Sequence, residues 1–343
     1  MVVKLKDVAK AAGVAINTAS SILNSRKDSW ASEETKQRVR DAAEKLGYTP
    51  NRIARGLSLG KTNTIGLIIP DLQNPFYSAL VTEIETEVIK RDYDLIIEDT
   101  RLDFKREQLC LNKITNRQID GVIINPINPE IFKTHLEPLA DSGTPVVVLG
   151  EPPKGSTLSF IQVDLNESVN AAFEHLASLG HKKIGFILHE LASHQKAAPR
   201  IAQFKQALKK YKLESPEPFL VQCKPTLTDS HTAFKTLLKS RPRKEFPTAF
   251  VCMNDLLAIG AMRATTEAGL KIPADISFVG VDNIPIAEFL PVSLTTISQS
   301  LRQMAINAVA KVLDKTSVAG GSKTILSGQL IIRESTGPAR QQK

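Results

Sequence analysis

Apolar residues in the first fifty positions recur with the period of a helix. Leu5, Val8, Ala9 and Ala12 fall at i, i+3, i+4 and i+7, which predicts a short helix over residues 4–13. Gly13 ends it, because glycine takes the positive φ that a tight interhelical turn needs. Residues 14–24 predict a second helix. Ala15, Ala19, Ile22 and Leu23 share one face, and Asn17, Ser20, Ser21 and Asn24 lie on the opposite stripe. Ser32 suits the N-cap of a third helix, with Glu33 and Glu34 in the first turn where the helix dipole favours anions. That helix is expected to bury Val39, Ala42, Ala43 and Leu46 and to stop at Gly47. A tight turn followed by a helix with short hydrogen-bonding groups on its outer face is the pattern of a base-reading helix-turn-helix head.

From residue 62 onward the period changes. Apolar runs at residues 64–69, 94–98, 121–124, 146–149, 183–187, 248–251 and 276–279 read as strands. Amphipathic helices fit between them at 76–91, 104–117, 167–179, 201–210 and 255–268. Repeated βα units predict parallel, doubly wound sheets with helices on both faces, an α/β body. Residues 158–164 break the rhythm and start a second βα series, so a lobe boundary belongs there.

Composition sharpens this picture. A length of 343 residues fits roughly two domains of about 150 residues each. The net charge of +8 is uneven. Residues 1–61 hold 12 Lys/Arg against 6 Asp/Glu, and the rest hold 32 against 30. A basic excess on the small helical segment fits phosphate binding, with a merely solvated helical surface as the alternative. Cys110, Cys223 and Cys252 are too few and too scattered for a disulfide framework or a Cys-rich zinc site, and fit a reducing cytoplasm. There is no apolar signal segment and no run of about 18 apolar residues, so a cytoplasmic protein without membrane association is expected. The chain has no GxxxxGK[ST] loop, dinucleotide fingerprint, HExxH or CxxC. Its six histidines are dispersed, with His189 and His194 the nearest pair. No enzyme, cofactor or metal is expected.

The runs Lys6-Asp-Val-Ala-Lys-Ala-Ala-Gly-Val14, Ser32-Glu-Glu-Thr35 and Leu46-Gly-Tyr-Thr-Pro-Asn-Arg-Ile-Ala-Arg-Gly-Leu57 together resemble the lactose-repressor (LacI) family of bacterial transcription regulators. The resemblance continues through residues 64–77, Leu179-Gly-His181, Asn254-Asp255, Val279-Gly-Val-Asp282, Leu294-Thr-Thr-Ile297 and Ile332-Arg-Glu-Ser335, nearly the whole chain. It implies a DNA-binding head over residues 1–49, a hinge helix and linker over 50–61, and an effector-binding and dimerisation body over 62–343. The body would be of the periplasmic-binding-protein type. Its first lobe would span about 62–161 and 292–322, and its second about 162–291 and 323–337. The expected partners are double-stranded operator DNA, a small carbohydrate-like effector and a second copy of the chain. A dimer is preferred to a tetramer because residues 335–343 carry no apolar heptads. A secreted sugar receptor or a sugar enzyme would need an export signal or a catalytic cluster, which the sequence lacks.

Residue roles follow from the same resemblance. Ile16, Asn17 and Ser21 would face bases, Asn17 by a bidentate pair to adenine and Ile16 by contact with a thymine methyl. Thr18, Ser20 and Asn24 would hold phosphates. Members commonly carry arginine at the position of Ser21, and serine cannot make that two-pronged contact to guanine. The loop between Asn24 and Ser32 is longer than usual. Its Trp30 caps the helices or else touches the DNA backbone. Asn51, Arg52 and Ala54 belong to the hinge helix, where proline suits the first turn and two glycines make the segment marginal alone. Leu57 would wedge into the minor groove, or alternatively anchor the linker.

In the body, Asn74, Phe76 and Tyr77 follow the first strand, at the carboxyl end of the sheet where open α/β folds bind ligands. Phe76 can stack on a sugar ring. Arg200, Asn254, Asp282 and Gln299 are implied to hold hydroxyls. Arg200 alone would read as a surface charge, and Asp282 alone as a loop-capping carboxylate. Gln203 replaces a usual glycine and Gly150 a frequent aspartate, so the pocket is expected to differ from that of its relatives.

Overall fold

A computed structural model of the chain describes residues 3–23, 31–48, 61–151, 153–189, 197–215, 219–314 and 321–340. Two compact units are present, residues 1–64 with 118–120, and residues 65–117 with 121–343.

The first unit holds α1 (Leu5–Ala12), α2 (Ile16–Leu23) and α3 (Glu33–Lys45). Gly13 has φ 64° and ψ 37°, and the Val14 N–H reaches back to the Ala9 carbonyl at 3.0 Å. Gly47 repeats the device at the end of α3, where the Tyr48 N–H bonds the Ala43 carbonyl at 2.8 Å. Such 6→1 bonds satisfy carbonyls that a helix end leaves open. The Arg38 Nε donates to the Ala12 carbonyl at 3.0 Å, so α3 also closes the end of α1. At the start of α3, Ser32 Oγ accepts from the Thr35 N–H at 3.3 Å. The three helices meet on Val8, Ala9, Ala12, Ala19, Ile22, Val39 and Ala43. Ala15 and Leu46 are exposed, against expectation. They stand just before α2 and just after α3, where the helical stripe no longer governs where a side chain points. Trp30 lies outside the described residues.

The second unit has two sheets. One contains β1 (Thr64–Ile69), β2 (Asp94–Asp99), β3 (Gly121–Ile124), β4 (Val146–Leu149), β5 (Ser159–Asp164) and β11 (Lys323–Ser327), ordered β11-β5-β4-β3-β1-β2. The other contains β6 (Ile184–His189), β7 (Leu220–Cys223), β8 (Ala249–Cys252), β9 (Ser277–Asp282), β10 (Thr295–Ser298) and β12 (Gln329–Ile331), ordered β12-β10-β9-β8-β6-β7. β3 to β4, β8 to β9 and β9 to β10 run parallel, and β12 pairs antiparallel with β10. Helices α4 (Pro75–Ile89), α5 (Phe104–Thr115), α6 (Glu137–Asp141) and α11 (Leu301–Leu313) serve the first lobe. A π-helical turn, Phe132–Leu136, precedes α6. Helices α7 (Asn166–Ser178), α8 (Ala197–Lys210), α9 (Leu227–Ser240) and α10 (Asp255–Glu267) serve the second. Each lobe has its own core. The first is built on Ile65, Leu67, Leu80, Ile123 and Val309, and the second on Phe173, Phe204, Phe234, Phe250 and Phe278.

The crossings between lobes differ from the expected ones. β10 pairs with β9, Thr295 opposite Val279, so the chain returns to the first lobe only after Ser298 and not at about residue 292. β11 pairs with β5, Lys323 opposite Phe160, so the last crossing is at Gly328 and not at about residue 323. All three crossings converge there. The Gly328 N–H donates to the Asp164 carbonyl at 3.1 Å. A Cβ on Gly328 would sit 2.6 Å from a Leu165 methyl and 3.1 Å from the Ser298 carbonyl. Only glycine lets the strands approach this closely.

The carboxyl-terminal segment is fastened to the second lobe by His181, which is 2% exposed. One ring nitrogen is 2.7 Å from Thr248 Oγ1, and the other donates to the Gly337 carbonyl at 3.1 Å. Burial pushes the His181 imidazole down to about 4, against the Gly337 hydrogen bond, which pulls it up. Between pH about 6.5 and about 4 the unfolded chain therefore binds a proton that the folded chain refuses. Stability is lost as pH falls through this window. His181→Gln is expected to flatten that acid-side slope in urea melts at pH 7, 6, 5 and 4.5. An unchanged slope would show that the ring titrates freely in the fold.

Candidate functional site

In the helical unit, α2 buries Ala19 and Ile22 and turns its start outward. Ile16 is 52% exposed, Asn17 is exposed, and Thr18, Ser20 and Ser21 are half-buried. An exposed isoleucine next to a carboxamide gives this helix end an apolar contact and a paired donor and acceptor. Asn24, Asn51, Arg52, Ala54 and Leu57 lie outside the described residues.

In the second unit a cavity of about 590 Å³ opens between the lobes, within the usual range for small-molecule sites. The same local device flanks it on both sides. After β1, Asn74 caps α4, its Oδ1 accepting from the Phe76 N–H at 3.0 Å with Pro75 at the first helical position. After β8, Asn254 caps α10, its Oδ1 accepting from the Leu257 N–H at 2.9 Å. Both asparagines are nearly buried and both line the cavity, with Phe76, Tyr77, Asp282 and Gln299. Phe76 is only 6% exposed and meets Tyr77 edge-on at 5.1 Å. Most of its ring is therefore engaged in packing, and less is open for stacking than the sequence implies. Arg200 is part of α8, and its side chain is outside the described residues. Gln203 and Gly150, the two departures in the sequence, both line the cavity.

Asp282 ends β9 with φ 115°, and Asn283 follows at φ 53°. Backbone in this region is strained for residues with a Cβ and persists only where neighbours hold it. Asp255 does so from beneath. Its carboxylate accepts from the Ile284 N–H at 2.8 Å and from Thr296 Oγ1 at 2.5 Å. Arg333 adds a second tie, donating to Asn283 Oδ1 at 2.9 Å and to the Leu294 carbonyl at 2.8 Å. Burial pushes the Asp255 carboxyl up to about 7, while Thr296, the Ile284 N–H and Arg333 pull it down. A Cβ on Gly280 would collide with the Asp255 carboxylate, which accounts for the glycine. Held in this way, Asp282 Oδ1 accepts from Gln299 Nε2 at 2.5 Å. This joins the end of β9 to the chain leaving β10.

Sequence reasoning missed part of the lining. Gln162 and Met253 line the cavity, as do Leu102, Phe104, Ile127 and Pro129. Apolar residues at strand ends look like ordinary core in a sequence, and these gave no signal. Among the described residues there is no His/Cys/Asp/Glu group able to hold a metal ion, and no helix long and apolar enough to cross a membrane.

Residues 4–51 match the bacterial regulatory proteins of the lacI family, and residues 173–336 match the periplasmic binding protein-like domain. The chain is 31% identical to the HTH-type transcriptional repressor PurR of Haemophilus influenzae (strain PittEE), over 96% of this chain and 98% of that protein. Its structure is similar to that of the lac repressor dimer bound to operator and the anti-inducer ONPF. The TM-score is 0.83 at 25% identity, covering 98% of this chain and all of the other. A LacI family transcriptional regulator from Enterococcus faecium with bound ribose is similar at TM-score 0.67 and 28% identity, covering 81% of this chain and all of that one. A helical head with an outward-facing α2, a two-lobed parallel-sheet body around a cleft, and these relationships over nearly the full length agree: the chain belongs to the LacI family and is a DNA-binding, effector-binding transcription regulator.

Proposed function

We propose that the chain is a repressor that binds a two-fold symmetric operator as a homodimer in the cytoplasm, and that a sugar in the interlobe cleft changes its affinity for DNA. Residues 1–49 act as the head, 50–61 as hinge and linker, and 62–343 as the effector-binding body. Asn17, Ile16 and Ser21 read bases, Thr18, Ser20 and Asn24 hold phosphates, and Asn51, Arg52, Ala54 and Leu57 act at the minor groove. The observation that carries the effector half is the cleft itself. Asn74, Asn254, Asp282 and Gln299 bring carboxamides and a carboxylate to strand ends around one cavity, and such groups match paired hydroxyls. Arg200 adds a bidentate donor. The ribose-bound regulator supports a sugar as ligand, and the operator-bound lac repressor dimer supports the assembly. Ile97, 40% exposed on the edge strand β2, and Phe289, 77% exposed, offer apolar surface for a second copy.

The test has two arms on the full-length protein. Selection from a random DNA library is expected to return a two-fold symmetric motif, and a thermal-shift screen of free sugars is expected to return at least one ligand that alters affinity for that motif. A motif without symmetry would dismiss the dimeric reading. A ligand that binds without moving operator affinity would dismiss the regulatory one.

A further inference from the structure

At the end of the second lobe away from the cleft lies a smaller cavity, of about 160 Å³. An apolar cavity of about 150 Å³ is large enough to take a benzene ring. β9 begins at Ser277, beside the cavity-lining Ile276, and ends at Asp282 in the cleft. About 20 Å of strand, at about 3.3 Å per residue, therefore separates the two cavities. The floor of the smaller one is apolar. Leu238, Phe246, Leu270 and Ile276 line it, and Phe246 and Ile276 are almost completely buried. Phe246 meets Phe219 edge-on at 5.1 Å between ring centres, which fixes its ring. The rest of the described lining is Ala268 and three arginines, Arg241, Arg243 and Arg340, with no carboxylate.

Separate chain segments deliver these arginines. Arg241 follows the last turn of α9 with extended backbone, and Arg243 opens the short 3₁₀ turn Arg243–Glu245. Arg340 comes from the carboxyl-terminal segment that His181 fastens through Gly337. α9 and α10 both end at this cavity, and the negative end of a helix dipole favours cations, which accounts for Arg241. It does not account for Arg340. This residue is half-buried, and its Nη2 donates at 2.6 Å to the Arg243 carbonyl, a neutral acceptor. Arg243 is itself paired with Asp275, whose other oxygen accepts from the Lys271 N–H at 2.8 Å. Arg241 pairs loosely with Glu245 on the surface, at 3.6 Å. Burial first, and then the charge of Arg243, hold the Arg340 guanidinium below the ordinary arginine value, against the pull of Asp275. A guanidinium partly desolvated beside another of like charge gains from a carboxylate, whose two oxygens match its planar fork.

We propose that this cavity is a second ligand site, for a small organic carboxylate. Its apolar body, the size of one ring, rests on the floor of Leu238, Phe246, Leu270 and Ile276, and its carboxylate meets Arg340, with Arg241 and Arg243 adding positive charge. The site stands whether or not a sugar occupies the cleft. The test titrates the full-length protein with 4-fluorobenzoate and with its uncharged counterpart 4-fluorobenzamide, followed by fluorine NMR, with inorganic phosphate as competitor. The benzoate is expected to bind about tenfold tighter than the benzamide or more, as hydrogen bonds to a charged group imply. Phosphate, which gains nothing from the apolar floor, is expected to displace it poorly. Arg340→Gln is expected to weaken benzoate binding about tenfold or more, and Arg340→Lys to restore part of the loss. Ala268→Phe is expected to block the cavity with all three arginines in place. Ala268 is exposed at the end of α10, so the larger side chain disturbs no core contact, and thermal melts check that each variant folds. Equal affinity for benzoate and benzamide would overturn the charge recognition on which the site depends. Displacement by phosphate at matching concentration would overturn the organic carboxylate as its ligand. Failure of the benzoate to bind, or binding that both Arg340→Gln and Ala268→Phe leave unchanged, would overturn the site itself.

Discussion

Raising salt from 50 to 200 mM is expected to weaken operator binding by about a thousandfold or more. The basis is the placement of charge. Residues 1–61 carry 12 Lys/Arg against 6 Asp/Glu, and the remaining residues are nearly balanced. A dimer presents two such segments to one duplex. Each phosphate neutralised releases condensed counterions, so log K falls with log salt at about 0.9 per phosphate contact, and about six to ten contacts give losses of about 10³–10⁵ over this range. Not every basic side chain is available. Lys36 pairs with Glu33 at 2.7 Å and Arg38 is engaged with the Ala12 carbonyl, which places the estimate at the lower end. Fluorescence anisotropy on the selected operator, at five salt concentrations, gives the slope directly. A flat dependence would mean that the helical head does not engage the phosphate backbone.

Legibility in the sequence followed the strength of the local period. In α1 the apolar stripe Val8, Ala9, Ala12 is the buried face, and Gly13 turns the chain as its position implies. The central strands β1, β3, β4 and β8 are fully or nearly continuous apolar runs, buried on both sides, and these stood out. β7, β11 and β12 did not, because edge strands such as Leu220–Cys223 are partly exposed and as short as turns. The crossings were displaced for the same reason. Whether Thr295–Ser298 belongs to one lobe or the other depends on a partner, β9, that no local pattern names. At the cleft, hydrogen-bonding residues with an unusual spacing or a capping role were visible. Phe104, Ile127 and Met253 were not, since nothing in a sequence distinguishes an apolar residue that lines a cavity from one that fills a core.

Removing either Asp282 or Gln299 is expected to weaken effector binding about ten- to a hundredfold, and removing both is expected to cost less than the product of the two. A hydrogen bond to a charged group contributes about 1.5–3 kcal/mol, and residues sharing one bond couple by about 0.5–3 kcal/mol. The geometry explains why the two act together. Gln299 Nε2 donates to Asp282 Oδ1 at 2.5 Å, so each fixes the orientation in which the other meets a ligand. Asp282 sits at the end of β9 and Gln299 just beyond β10, where the chain crosses between lobes. A ligand that bonds both would therefore hold a crossing strand in one arrangement. That is how occupancy of the cleft could bias a two-state body, provided the ligand's affinity differs between the states. Arg333→Ala provides the contrast. Arg333 does not line the cavity, but its removal releases Asn283 and with it the strained loop that presents Asp282. The expected result is weaker effector binding with operator affinity unchanged in the absence of effector. Calorimetry with the sugar returned by the screen, on both single variants and the double, measures the coupling. Additive losses would show that the pair does not act as a unit, and normal binding by all three would place the effector elsewhere in the molecule.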